Sequence, residues 1–266
     1  MNLSAISGVI MDMDGVLWRG DDILPGVAAF FDFLRRRDLP FVLASNNSSR
    51  TPADYVAKLS GMGVGGVSER QIVTSGTAAV DYLTTHYPAG SAVHVLGGDG
   101  LKALVAGAGF PFSDEARVVV VGIDFNLTYN KLKRAAYLIR AGADFIGTNG
   151  DATFPLPDGL APGAGSLIAA LRTATDREPL MIGKPNAPMF EAALRALGTT
   201  RPATLMIGDR LNTDIQGAQK AGFPAALVLT GVTSREALAA SDMQPDGVYD
   251  DLPALMAAWS GASPQR

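Results

Sequence analysis

Residues 8–18 read Gly-Val-Ile-Met-Asp-Met-Asp-Gly-Val-Leu-Trp, a short apolar run ending in two aspartates one residue apart, then a glycine. The run from Gly8 to Met11 reads as a buried strand that delivers Asp12 and Asp14 into a loop at its carboxyl end. In open α/β sheets ligands bind in the crevice beyond those strand ends, so the two acids sit where chemistry is usually found. Residues two apart in an extended segment point the same way, and both carboxylates could face one site. Like charges so placed repel unless a cation lies between them or one acid keeps its proton. A solvated Asp-Gly turn is the competing reading, and the dipeptide spacing alone leaves both standing. Trp18, in the compact turn region that follows, is expected to be exposed or half buried.

Composition narrows the classes. A chain of 266 residues, 47% hydrophobic, can bury a sizeable core as one large α/β domain or two smaller ones. A formal charge of −4 offers no electrostatic footprint for nucleic acid or an anionic membrane. The one basic cluster, Arg35, Arg36 and Arg37, suits a solvated helix end, where cations complement the dipole. With no cysteine, disulfides and thiolate metal sites are excluded. The longest apolar runs, such as residues 118–121, are far too short to span a bilayer, and the N-terminus does not read as a secretory signal. A soluble cytoplasmic protein is the default expectation.

Working outward, Pro25 opens a helix with Val27, Phe30, Phe31 and Leu34 on one face, and residues 39–44 form a second apolar strand. Strand, helix and strand with both strands buried is the signature of a parallel sheet. The second strand empties into Ser45-Asn46-Asn47-Ser48-Ser49. Polar loops at strand ends are common turn chemistry, but hydroxyl and N–H groups near a helix N-terminus can also hold an oxyanion.

Strands at 71–75, 91–96, 117–123 and 144–147 then alternate with helices at 77–86, after residue 100 through 108, and at 132–139. The Gly-Gly-Asp-Gly at 97–100 lacks nucleotide-binding spacing and reads as an ordinary strand-to-helix turn. Residues 148–165 are rich in Gly, Pro, Asp and Asn, consistent with a long loop or a substrate-facing rim. His86 and His94, the only histidines, fall within this block and are not expected to be catalytic.

Beyond it, Lys184 follows a short apolar strand between Gly183 and Pro185, backbone-restricted on both sides, although an exposed turn lysine is the plainer reading. After a helix at 186–197, residues 203–209 form another apolar strand ending in an aspartate, with Asp214 five residues on at the start of a helix over 213–221. A strand at 225–229 and a helix at 251–259 complete the sheet, and the last few residues read as frayed.

Separately each stretch is ambiguous; together they supply the parts for phosphoryl transfer through an aspartyl intermediate. A phosphate monoester repels an incoming nucleophile, and the remedies are a divalent cation, fixed groups on the phosphoryl oxygens and an aligned nucleophile. Carboxylates are the hard oxygen ligands magnesium prefers.

In order, DMDGVLW (12–18), SNNSSR (45–50), GKP (183–185) and GDRLNTD (208–214) resemble the four motifs of the haloacid dehalogenase superfamily of phosphatases. TSGTAA (74–79), VGIDFNLTYNKL (121–132), TNGDATFP (148–155) and IGKPNAPMFEAAL (182–194) resemble its NagD-like branch, and the likeness covers nearly the whole chain. That resemblance implies a Rossmann-like, doubly wound parallel-sheet core over 1–77 and 181–266. It implies a smaller α/β cap, 78–180, inserted between the second and third motifs.

It also implies that Asp12 is the nucleophile and Asp14 the general acid, then base. Mg2+ would be bound by Asp12, the backbone carbonyl of Asp14 and Asp209, with Asp214 behind them. Ser45, the N–H of Asn46 and Lys184 would hold the phosphoryl oxygens. Asn126, Tyr129, Asn149 and Asp151 are candidate substrate contacts along the cap's loops, and Asp151 could equally stabilise its own turn.

The expected substrate is a small phosphorylated metabolite, with neither nucleic acid nor membrane as partner, and an apolar strand edge in the cap could pair in a homodimer. Two other classes share the fold: a phospho-accepting signalling domain and an idle binding protein. The chain's size, the acid two residues after Asp12 and the inserted cap argue against the first, and the joint presence of Asp12, Asp14, Lys184 and Asp209 against the second.

Overall fold

The structure, a computed structural model, describes residues 1–156 and 158–261; the frayed last residues expected from the sequence, 262–266, lie outside that range. The chain divides into two compact units, 1–45 with 52–73 and 190–266, and 46–51 with 74–189.

The first unit is built on a six-stranded sheet in the order Gly247–Tyr249, Ala225–Val228, Thr204–Gly208, Gly8–Met11, Phe41–Ser45, Ile72–Thr74. The first five run parallel. Every residue of Gly8–Met11, Phe41–Ser45 and Thr204–Gly208 is buried, which is why these strands read as continuous apolar runs without alternation. The chain leaves the central strand for Phe41–Ser45 on one side, and Thr204–Gly208 joins the other. This reversal of strand order opens a crevice at the carboxyl ends of the central strands.

The helix Val27–Arg36 buries the four residues read as its inner face, together with Phe33. Phe33 meets Trp259 edge-on at 5.7 Å, tying this helix to Leu252–Gly261. Two of the three arginines at its end lay their guanidinium groups over aromatic rings, Arg37 4.6 Å from Phe33 and Arg35 5.8 Å from Phe31. They are partly packed as well as solvated.

The second unit carries its own parallel sheet, ordered Leu180–Met181, Asp144–Gly147, Val118–Val121, Val93–Leu96. Tyr129–Arg140 and Ala164–Thr175 pack Ala135, Ile139, Leu167 and Leu171 against Val119 and Val121. The Gly-Gly-Asp-Gly stretch is the ordinary turn it reads as, with Gly98 capping the helix Asp99–Gly107.

The stretch expected as a long loop instead contains an antiparallel hairpin, Thr153–Leu156 with Gly159–Pro162, and leads straight into Ala164–Thr175. Its glycines serve close backbone approach: a Cβ on Gly163 would lie 2.3 Å from the Asp151 carbonyl oxygen. Glycine and proline density therefore signalled close backbone contact here, where one of its two readings was a long loop. No helix among the described residues is long and apolar enough to cross a membrane.

Leu34 is fully buried in the first unit's core, away from the strand ends. Leu34→Ala should lower unfolding free energy by about 2–5 kcal/mol in urea titration, while metal binding measured calorimetrically stays as in the parent.

Candidate active site

The geometry begins with register. In the first unit Met11 lies opposite Ile207, and the Asp12 N–H donates to the Ile207 carbonyl at 2.8 Å. The first residues beyond the paired segments, Asp12 and Asp209, are thereby delivered to the same end of the crevice. Asp214 joins them through a wide turn, Leu211–Ile215, in which the Ile215 N–H reaches the Arg210 carbonyl five residues back. The sequence predicts an α-helix starting at 213; the observed π turn precedes the helix Gln216–Lys220. Such turns insert one extra residue per turn and re-aim a side chain.

Asp12, Asp209 and Asp214 are all buried, and each offers a carboxylate oxygen within 4.8 Å of the others. Two backbone N–H groups orient them: Val232 donates to Asp209 Oδ2 at 2.6 Å and Arg210 to Asp214 Oδ2 at 3.1 Å. The fit leaves no room for side chains nearby. A Cβ on Gly231 would lie 1.9 Å from Asp209 Oδ2, and one on Gly208 2.2 Å from Asp214 Cβ. Three buried carboxylates this close repel strongly in a poorly screened interior. A donor set of oxygens alone, without histidine or sulfur, is that of a hard divalent cation, and these residues fit one.

Asp14 stands apart from that group. Its exposed carboxylate accepts the Trp18 Nε1–H at 2.8 Å. Trp18 itself is only 1% exposed, against the expectation of an exposed or half-buried ring. The Tyr55 ring stacks on it at 6.3 Å and the Lys58 ammonium sits 4.6 Å from its centroid. Ser45 ends its strand buried.

In the second unit, Lys184 is 4% exposed, which sets aside the solvated turn lysine. Its backbone carbonyl accepts the Asn46 Nδ2–H at 3.0 Å, and the Asn46 carbonyl accepts the Asn149 Nδ2–H at 2.8 Å. Asn46, Asn149 and Lys184 are thus one hydrogen-bonded group. Asn149 is buried, and its Oδ1 also takes the Asp151 N–H at 3.1 Å, so Asp151 does take part in a turn of its own.

Asn126 and Tyr129 are exposed and outside this group, Tyr129 at 79%. The loop bearing them is held by the Lys131 ammonium, 2.8 Å from buried Asp124. His94 lies in a sheet strand, where burial lowers its pKa and outweighs the opposing pull of Asp114.

Residues 9–111 match the haloacid dehalogenase-like hydrolases, and 181–255 match a second, HAD-hydrolase-like, family profile. The 5'-nucleotidase YutF of Bacillus subtilis is 37% identical over 251 residues, 94% of this chain and 97% of its own. The chain belongs to the haloacid dehalogenase-like hydrolases. Among solved structures, the 4-nitrophenylphosphatase of Thermotoga maritima superposes with TM-score 0.92 at 36% identity, covering 97% of this chain and 99% of that one. NagD from E. coli K-12 does so with TM-score 0.88 at 32% identity, covering 93% and 97%, which sets this hydrolase in the NagD-like branch.

Two features of the hydrolase escaped the sequence reading. One is the loop Thr230, Gly231, Val232, which supplies an N–H to Asp209; its Thr-Gly pair just beyond the apolar strand at 225–229 was the available signal. The other is the indole N–H of Trp18, four residues after Asp14.

Substituting Gly231→Ala forces the loop off Asp209. Calorimetric titration with Mg2+ should show affinity reduced about 10- to 100-fold, with the far-ultraviolet circular dichroism spectrum unchanged.

Proposed function

We propose that this hydrolase is a magnesium-dependent phosphomonoesterase of small phosphorylated metabolites, acting through a phosphorylated Asp12. The observation that carries the reading is the convergence of Asp12, Asp209 and Asp214, with oxygens within 4.8 Å, at the carboxyl ends of adjacent parallel strands. A nucleophilic carboxylate is useful against a polyanionic ester only where its own charge and that of the phosphoryl group are offset. When bound, Mg2+ would supply that offset and polarise a phosphoryl oxygen.

In this reading an Asp12 carboxylate oxygen forms a bond to phosphorus while the bond from phosphorus to the ester oxygen breaks. Asp14 gives its proton to the departing oxygen, so an alcohol leaves instead of an alkoxide. Water then attacks the same phosphorus and gives a proton to Asp14. The bond from phosphorus to Asp12 breaks, inorganic phosphate leaves and both acids return to their starting states.

Ser45, the N–H of Asn46 and the Lys184 ammonium are assigned to the phosphoryl oxygens, as hydrogen-bond donors and a fixed charge. The tie from Asn46 to the Lys184 carbonyl supports treating these two as one element. Residues 78–180 are assigned the role of a cap that excludes water and selects the leaving part of the substrate. Its exposed residues Asn126 and Tyr129 are the candidates for contacting that part. Nucleotides and aryl phosphates are the substrate classes to try first, because the names of YutF and the Thermotoga protein refer to them.

With p-nitrophenyl phosphate, activity should require Mg2+, vanish with chelator and return on readdition. Asp12→Asn should reduce kcat at least about a thousandfold; a variant that kept its rate would rule out Asp12 as nucleophile. In kcat/KM, which reports the step that releases the alcohol, Asp14→Asn should cost about a hundredfold with phenyl phosphate, whose leaving group needs a proton, and far less with p-nitrophenyl phosphate. Equal losses would remove Asp14 from the acid role.

A further inference from the structure

Trp18 carries a buried polar atom that the proposed chemistry has not used. An indole N–H removed from water needs an acceptor, and here that acceptor is the carboxylate assigned to proton transfer. Building on the phosphatase reading above, we infer that Trp18 is a positioning residue. Its Nε1–H ties down Oδ1 of Asp14, so that Oδ2 is the oxygen that carries the proton to the ester and takes it back from water.

The asymmetry follows from the donor's chemistry. Indole nitrogen donates one hydrogen and accepts none, and a carbonyl oxygen accepts better than a hydroxyl oxygen, so the bond at 2.8 Å favours Oδ1 as the bare oxygen when Asp14 is protonated. A proton on Oδ1 would weaken the hydrogen bond by making that oxygen a poorer acceptor; one on Oδ2 would leave it intact. Asp14 alone is an exposed side chain with two free torsions. Bonded to Trp18 it is held in one orientation, with Oδ2 the favoured oxygen for the proton.

The tether is anchored at its other end. Tyr55 covers one part of the ring and the Lys58 ammonium another, and Lys58 is itself held by the Gly20 carbonyl at 2.6 Å and by Asp21 at 3.5 Å. The flanking backbone is tied to the loop that serves Asp209. Arg19 Nε donates to the Thr230 carbonyl at 2.7 Å, and Thr230 Oγ1 donates to the Gly15 carbonyl at 2.6 Å. Two residues on, Val232 donates to Asp209. The orientation of Asp14 is therefore referenced, through named bonds within one unit, to the carboxylate cluster. Positioning of this kind acts on catalysis because small misplacements of a reacting group are costly in rate.

The test uses the full chain with phenyl phosphate and p-nitrophenyl phosphate, two esters of similar shape whose leaving groups differ in their need for a proton. Trp18→Phe keeps an aromatic ring and removes the donor. A second variant carries 3-benzothienylalanine at position 18, preserving the ring outline with sulfur in place of N–H, in case the smaller ring loosens the fold. Each should lower kcat/KM, which reports the step that releases the alcohol, at least about tenfold more for phenyl phosphate than for p-nitrophenyl phosphate. In an Asp14→Asn background the same substitutions should add little to that difference.

The two tryptophans, Trp18 and Trp259, give two indole N–H resonances, and the Trp18 signal should move in Asp14→Ala. Equal losses with both esters in the benzothienyl variant, an undiminished loss in the Asp14→Asn background, or an unmoved Trp18 signal would each overturn the inference while leaving the phosphatase reading intact. A parent protein that hydrolyses neither ester would overturn that reading and this inference with it.

Discussion

The pairing register between Gly8–Met11 and Thr204–Gly208 is the constraint on which the site depends. These strands lie nearly two hundred residues apart in the chain, yet Met11 must face Ile207 for Asp12 and Asp209 to leave the sheet at the same level. A slip of one residue would displace one carboxylate by about 3.3 Å along the strand and reverse the side to which it points. Burial of both strands on both faces resists such a slip, because every side chain has a packed place to lose. The core thus does more than stabilise: it sets the spacing of the charges.

Holding like charges together is unfavourable in itself, and the surroundings show how the fold sustains it. Val232 and Arg210 each aim a backbone N–H at a carboxylate, and Gly231 and Gly208 approach so closely that a methyl group has no place. Backbone amides are fixed dipoles that need no rearrangement when charge appears, which is why a catalytic site uses them in preference to mobile side chains. The cluster in turn is suited to a small divalent cation, whose charge removes the remaining repulsion.

The second unit applies the same economy to a different group. Asn46 gives its amide to the Lys184 carbonyl and receives the Asn149 amide on its own carbonyl, so three segments far apart in sequence meet through two hydrogen bonds. Ser45 and Asn46 are neighbours in the chain but belong to different compact units. A polar loop that reads as plain turn chemistry is, in the fold, a junction whose members hold one another.

Much of this was legible from residue order. Apolar runs ending in Asp12 and Asp209 are strands whose ends carry the acids, and the face Val27, Phe30, Phe31 and Leu34 is buried. These follow from local periodicity and from the rule that buried parallel strands are apolar throughout. Trp18, Lys184, the hairpin at 153–162 and the turn that brings in Asp214 were not legible, or were read the plainer way. The first three depend on a neighbour in another segment: Tyr55 and Lys58 for Trp18, the Asn46 loop for Lys184, the Asp151 carbonyl for Gly163 in the hairpin.

Sequence alone determined which residue types were available and which strand ends would present them, because those are properties of short segments. Tertiary structure decided which carboxylates share a site and which one is held by an indole, because distance and burial arise only when separate segments pack together.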